Sequence, residues 1–328
     1  NYFYDDSFGQ DNDLNITLDY YTTNQEYNSH SCVEASNNST ICKGWYNSYN
    51  TGLNTNWGAP TTQNAEYELF TYKIDADGNL VWFNENGNWD NDTDASPPYW
   101  LSGYSNDISF GSIVELNGYY YLAGQQDNPF YCGFLLKINE DGEEEWFRSF
   151  DVNEDSYTTT YTRDILATSN GNLIVVGSVG RSGQGNNGFI RMYTENAYNI
   201  TNYEYNYMQE YTQSSYDDFL YQVIELSNGN YLAVGRSYYG DASGSFYYYP
   251  YFIQFNESEI ISVNHLTNYR LRDCKENISA IELESGDILF AGQNQSSHAL
   301  LFISDLDGEV VSVMSDHVEF ELGGTSSA

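Results

Sequence analysis

The sequence predicts an all-β fold, a β-propeller of five four-stranded blades. Three observations predict it: a hairpin unit that recurs five times, a second hairpin after each copy, and turn dipeptides at the hairpin tips. The first unit reads SCVEASNNSTICKG and ends at Gly44. It returns as SIVELNGYYYLAG ending at Gly124, DILATSNGNLIVVG ending at Gly177, QVIELSNGNYLAVG ending at Gly235 and SAIELESGDILFAG ending at Gly292. The closing glycines lie 80, 53, 58 and 57 residues apart, which reads as repeated supersecondary units sharing one core. The chain is expected to be a single array over 1–328, with blades at 28–106, 107–155, 156–213, 214–271 and 272–328. Six blades is the alternative if the insertion at 47–66 or 85–110 hides strands.

The second hairpins are LFTYKIDADGNLVWF, GFLLKINEDGEEEWF, GFIRMYTENAYNITNYEYNYM, YFIQFNESEIISV and ALLFISDLDGEVVSVM. Each is an apolar run, a polar turn and an alternating run. Asn117-Gly118, Asn170-Gly171, Asn228-Gly229, Asp77-Gly78, Asp141-Gly142 and Asp307-Gly308 suit the positive φ of tight turns. Continuous apolar runs such as Ile174–Val176 and Leu232–Val234 predict strands buried on both faces. The alternation of Tyr203, Tyr205 and Tyr207 with Glu204 and Asn206 predicts a half-wet outer strand.

The stretch LLKINEDGEEEWFRSFDVNEDSYTTTYTRDILATSNGNLIVVG, residues 135–177, resembles the β-propeller repeats of secreted bacterial and archaeal proteins. Those repeats run as K-x-D-x-x-G-x-x-x-W followed by a DGG-x-x-x-x-G hairpin. Lys137, Gly142, Trp146, Phe150 and Gly177 fit the pattern, and Lys73, Gly78 and Trp82 repeat its first half. The resemblance implies the fold and an extracellular address. It carries no catalytic residues.

Composition narrows the partners. Eleven lysines and arginines face 47 acidic residues, a formal net charge of −36, so nucleic acid and anionic lipid are excluded as partners and divalent cations are favoured. No run reaches 18 apolar residues, and the N-terminus, beginning at Asn1, lacks the basic and apolar regions of a signal peptide. A mature chain acting outside the cell is expected, without membrane insertion. Cys32 and Cys42 flank the first hairpin turn at nearly opposite positions and are the candidate disulfide; a two-residue turn would instead set Cys32 against Lys43.

Candidate sites follow from residue type and spacing. Asn84, Asn86, Asn88, Asp90, Asp92 and Asp94 place an oxygen donor at every second position, which suits calcium; a solvated acidic loop accounts for the same residues. Asp11 with Asp13 is a weaker candidate, and Asp75 with Asp77 is explained by a hairpin turn. Sequons for N-glycosylation stand at Asn15, Asn37, Asn38, Asn91, Asn199, Asn256, Asn277 and Asn294, in a chain so rich in Asn, Ser and Thr that chance produces as many. The histidines, His30, His265, His298 and His317, show no metal spacing, and there is no nucleophile elbow or P-loop.

With no catalytic motif, the expected function is a non-enzymatic, glycosylated structural protein, a self-assembling surface-layer or filament subunit. Residues 1–14 are expected to close the ring or to be exchanged with a neighbour, and 317–328 to supply a surplus strand. Two alternatives stand beside it. One is an adhesin or receptor domain that stacks its 33 tyrosines on glycans. The other is a polysaccharide-active enzyme using paired carboxylates, which 47 acidic residues make untraceable by spacing.

Overall fold

The computed structural model describes residues 27–35, 38–49, 65–85, 109–126, 132–150, 158–181, 185–195, 199–205, 217–240, 246–266, 278–293 and 299–314. They form five four-stranded antiparallel sheets. The first holds β1 (Tyr27–Glu34), β2 (Thr40–Tyr49), β3 (Ala65–Ile74) and β4 (Leu80–Glu85); the second holds β5 (Ser109–Leu116), β6 (Tyr119–Gln126), β7 (Cys132–Ile138) and β8 (Glu144–Phe150). The third holds β9 (Thr158–Ala167), β10 (Asn172–Arg181), β11 (Gly185–Thr194) and β12 (Asn199–Tyr205). The fourth holds β13 (Asp218–Glu225), β14 (Tyr231–Gly240), β15 (Phe246–Phe255) and β16 (Ile260–His265); the fifth holds β17 (Ile278–Glu282), β18 (Ile288–Gln293), β19 (Ala299–Ser304) and β20 (Val310–Met314). Strands follow one another in chain order across every sheet, so each repeat is one blade, and the fold is a five-bladed β-propeller. By contacts the chain divides into two compact units, Asn1–Ala167 and Thr168–Ala328. The termini 1–14 and 317–328 lie outside the described residues.

Burial follows strand position. The middle strands β7 and β11 are almost wholly buried, whereas the first strands β13 and β17 alternate buried and open positions. A middle strand has a hydrogen-bonded neighbour on both edges and apolar side chains on both faces; a first strand has one edge without a strand partner in its own sheet. In the first unit, Ile41, Ile113, Tyr120, Leu122, Phe134 and Leu136 form a core that spans two sheets. In the second, Leu232, Phe252, Ile278, Phe290 and Phe302 do the same, with Phe290 and Phe302 stacked at 4.8 Å between ring centroids.

The turns are more varied than their dipeptides predict. Asn117 and Gly118 both take positive φ, 55° and 78°, as a two-residue hairpin turn requires. At Gly78, Gly142, Gly171, Gly229 and Gly308 the glycine alone is positive, and the hairpin closes around a longer loop, as in Asp75 N to Asn79 O at 2.9 Å. A side-chain acceptor organises most of these loops. Asp75 Oδ1 accepts from the backbone N–H of Asp77 and Asn79, Asn139 Oδ1 from Asp141 and Glu143, and Asp305 Oδ1 from Asp307 and Glu309. These bonds hold the Asp75 carboxyl below its ordinary range, the Asn79 side chain first among them.

A bulge recurs on three first strands, beside the closing glycine. The register shifts between Ser29 and Ser31, between Phe110 and Ile113, and between Leu220 and Gln222, next to Gly44, Gly124 and Gly235. The bulge brings the first strand hard against the glycine: a Cβ on Gly235 would lie 1.8 Å from the Phe219 carbonyl oxygen. Gly235→Ala is therefore expected to cost roughly 3 kcal/mol or more, because backbone must move. Gly229→Asn, at φ +82° with nothing within 4 Å, is expected to cost under about 1 kcal/mol. Urea unfolding of the two variants checks the contrast.

Candidate functional site

The first unit holds a charged cluster built from three sheets. Lys43, on β2, is fully buried, at the position where the other repeats carry Ala123, Val176, Val234 and Ala291 before the closing glycine. Its ammonium donates to the Gly111 carbonyl, in the β5 bulge. Ser112, the next residue of the bulge, donates its hydroxyl to Asp164 Oδ1 on β9 and accepts from the Ile165 N–H at 2.9 Å. Gly111 has no room for a side chain, since a Cβ would sit 3.1 Å from the Arg163 backbone and 3.2 Å from the Ala123 carbonyl oxygen. The bulge thus aims one carbonyl at a buried cation and one hydroxyl at a carboxylate, a re-aiming that bulges commonly provide. Burial pushes the Lys43 ammonium down from 10.5 to about 7, and the charge of Asp164 acts in the opposite sense. Asp164 itself is half-buried.

The second unit carries its own carboxylates at the start of β13. Asp217 is half-buried; its Oδ1 accepts from the Asn186 N–H and from Asn186 Nδ2, both at 2.7 Å, and its carbonyl accepts from Tyr238 N at 2.8 Å. Asp218 is buried opposite Ser237. Nearby, the buried Arg236 guanidinium lies 4.2 Å from the Tyr248 ring centroid and 5.0 Å from that of Phe219, and Tyr238 packs on Tyr248 at 4.6 Å. Tyr238, Tyr247 and Tyr248 are each half-buried, rings with an apolar body and a polar tip. Deeper in the same sheet, His265 stacks on Tyr251 at 5.3 Å, and burial pushes its imidazole down to about 4, so it is neutral at pH 7.

The structure places the sequence-derived candidates unevenly. Cys32 and Cys42 face each other in register and are joined by a disulfide. The longer loop from Ala35 to Ser39, closed at 2.7 Å, sets this register instead of the two-residue alternative. Asn84 lies on β4, where its Nδ2 donates to the Gly142 carbonyl at 2.7 Å. Asn86, Asn88, Asp90, Asp92, Asp94, Asp11 and Asp13 fall outside the described residues, as do Asn15, Asn37, Asn91, Asn277 and Asn294. Asn38 is exposed at φ 59°, Asn199 opens β12, and Asn256 sits at the β15–β16 turn with its Oδ1 accepting from Ser258 N and Ser258 Oγ, both at 2.8 Å. Lys43, Ser112, Asp164 and Asp217 were missed. A charge one residue before a closing glycine, where every sister repeat is small and apolar, was the legible signal for Lys43.

No protein-family model matches the chain, and no curated protein matches it in sequence. Among solved structures, it is similar to a protein of unknown function from Dyadobacter fermentans, with a TM-score of 0.52, 9% identity, and coverage of 88% of this chain and 83% of that one. It is also similar to the GH93 α-L-arabinofuranosidase of Fusarium graminearum in complex with arabinobiose, with a TM-score of 0.51, 11% identity, and coverage of 86% and 78%. The expectation of a non-enzymatic structural subunit is corrected by this finding, because this fold carries glycosidic-bond chemistry in a protein of similar extent. The physical reason is that glycoside hydrolysis asks for two carboxyl groups about 5 to 9.5 Å apart in space, a distance that no sequence spacing announces. The missing local motif therefore never argued against an enzyme. Among the described residues, no helix is long and apolar enough to cross a membrane.

The buried ammonium makes stability depend on pH. Folding lowers the Lys43 pKa from 10.5 to about 7, so between these values the unfolded chain binds more protons. Its contribution to stability therefore rises with pH above 7 and reaches its minimum below 7. From pH 7 to 9 the wild type should gain about 2 kcal/mol relative to Lys43→Met. Paired urea titrations at the two pH values check the sign.

Proposed function

We propose that this chain is a polysaccharide-active enzyme acting outside the cell, one that hydrolyses a glycosidic bond. The observation that carries the reading is the half-buried Asp164, backed by a buried ammonium and a serine hydroxyl, on a fold that an arabinofuranosidase also uses. Glycoside hydrolysis needs one carboxylate that stays ionised, as nucleophile or base, and a second that hands a proton to the leaving oxygen. Asp164, which accepts from the Ser112 hydroxyl, is the candidate for the first of these. The half-buried tyrosines around Arg236 offer faces on which a sugar ring stacks.

Charge narrows the substrate. A chain of formal net charge −36 repels polyuronides, so a neutral glycan is favoured, with arabinose polymers first because arabinobiose binds the similar structure. The Cys32–Cys42 disulfide agrees with work in an oxidising compartment.

Release of reducing ends from arabinan and a panel of other neutral polysaccharides tests the proposal, together with aryl α-L-arabinofuranosides. Turnover is expected, with Asp164→Asn lowering kcat by about 10³-fold or more while the circular dichroism is unchanged. Binding without turnover would leave a carbohydrate-binding protein, and neither binding nor turnover across the panel would overturn the proposal.

A further inference from the structure

Three N-glycosylation sequons lie among the described residues, and the fold treats them differently. Thr40, which completes the sequon of Asn38, pairs with Glu34 on one side and Ile74 on the other. Asn199 and Thr201 pair with Tyr193 and Met192 in the β11–β12 ladder. Asn256, Glu257 and Ser258 instead lie wholly between β15, which ends at Phe255, and β16, which begins at Ile260. A strand within a ladder has its backbone groups committed to its neighbours, so an enzyme that grips a sequon meets all three residues outside a ladder only at Asn256. Glu257, Ser258 and Glu259 are exposed there.

The Asn256 side chain is set apart from its sister turns as well. Asn139 holds the equivalent place in the second sheet and engages both ends of its amide within the turn. Its Oδ1 accepts from the N–H groups of Asp141 and Glu143, and its Nδ2 donates to Glu143 Oε2 at 3.0 Å. Asn256 engages only its oxygen. Oδ1 accepts from the Ser258 N–H and hydroxyl, both at 2.8 Å, and from the Glu259 N–H at 2.9 Å, whereas Nδ2 donates to no described residue. The cap itself requires no nitrogen, since Asp75 and Asp305 cap the corresponding turns of the first and fifth sheets with a carboxylate. The turn is also held from outside, because Asn172 Nδ2 donates to Glu257 Oε1 at 3.0 Å.

We propose that Asn256 is a modification site that carries an N-linked glycan. Nδ2 attacks the anomeric carbon of a saccharide borne on a lipid diphosphate. The N–C bond forms, the anomeric C–O bond breaks, the diphosphate leaves with its electron pair, and the Nδ2 proton passes to a carboxylate of the transferase. The Ser258 hydroxyl already rests on Oδ1, which turns the free nitrogen outward. Tyr248 stands eight residues back along β15, about 27 Å at the rise of an antiparallel strand, so a glycan at this turn leaves the other end of the sheet uncovered. The proposal is independent of the sugar-cleaving reading.

Glycopeptide mapping of the full chain secreted from an N-glycosylating host tests it, with peptide-N-glycosidase in heavy-oxygen water marking each formerly glycosylated asparagine as labelled aspartate. The Asn256 peptide is expected to be occupied in most molecules. Asn256→Gln and Ser258→Ala are each expected to remove that glycan and Ser258→Thr to keep it, with circular dichroism unchanged in all three. A second measurement reads the folded geometry: the chain made without glycans is incubated with a purified oligosaccharyltransferase and its lipid-linked donor. Asn256 is expected to be modified roughly tenfold faster than Asn199 or more, because β12 must open before its sequon can be gripped. Equal rates at the two positions overturn the proposal. So does an Asn256 peptide recovered bare from the secreting host, whether another sequon of the chain is occupied or only a control glycoprotein from the same cells is.

Discussion

A four-stranded sheet with apolar side chains on both faces must pack each face on another sheet, and every polar group trapped at that contact must find a partner. The fold meets this constraint with a few side chains that reach from one sheet to the next. Asn84, at the end of β4, donates to the Gly142 carbonyl in the following sheet, and Asn264, at the equivalent place on β16, donates to the Leu306 carbonyl at 3.1 Å. At the first-hairpin tips, the Ser169 N–H and hydroxyl donate to the Glu225 carboxylate, and those of Ser227 to Glu282. The bonds recur because the repeat recurs. Each one fixes where the next sheet sits, and so where its first strand begins.

The closing glycines belong to the same constraint. A sheet whose first strand bulges gains the freedom to re-aim one or two side chains, but only if the facing residue has no Cβ. At Gly235 the facing atom is the Phe219 carbonyl oxygen, and at Gly124 it is the Phe134 ring, 2.4 Å from where a Cβ would stand. Backbone fills the space in one repeat and an aromatic ring in the other. In the second sheet the bulge residues are Gly111 and Ser112, and the candidate site is assembled around them.

The acidic composition is put to structural use as well. Carboxylates of Asp75, Asp305, Glu225, Glu257 and Glu282 accept hydrogen bonds within turns or across hairpins. Such bonds need no cations, which suits a chain with 47 acidic residues and 11 basic ones. Lys73 is the exception: its buried ammonium pairs with the exposed Glu140 carboxylate at 3.0 Å. Lys43, fully buried, donates instead to the Gly111 carbonyl.

The sequence by itself determined the number and order of the strands. Five hairpin units, their partners and their glycine-bearing turns are local patterns, set by side-chain alternation and by the φ that each turn residue accepts. Within those limits it also brought Cys32 and Cys42 close, and only the Ala35–Ser39 loop chose their register. The candidate site was not legible in this way. Lys43, Ser112 and Asp164 are separated by 69 and 52 residues, stand on three different sheets, and meet through a bulge that no spacing rule announces. A hairpin is fixed by neighbours in the chain, whereas a cluster drawn from three sheets is fixed by neighbours in space. For that reason the absence of a motif pointed toward a structural protein, and only the tertiary structure set Lys43 against one residue of the β5 bulge and Asp164 against the next.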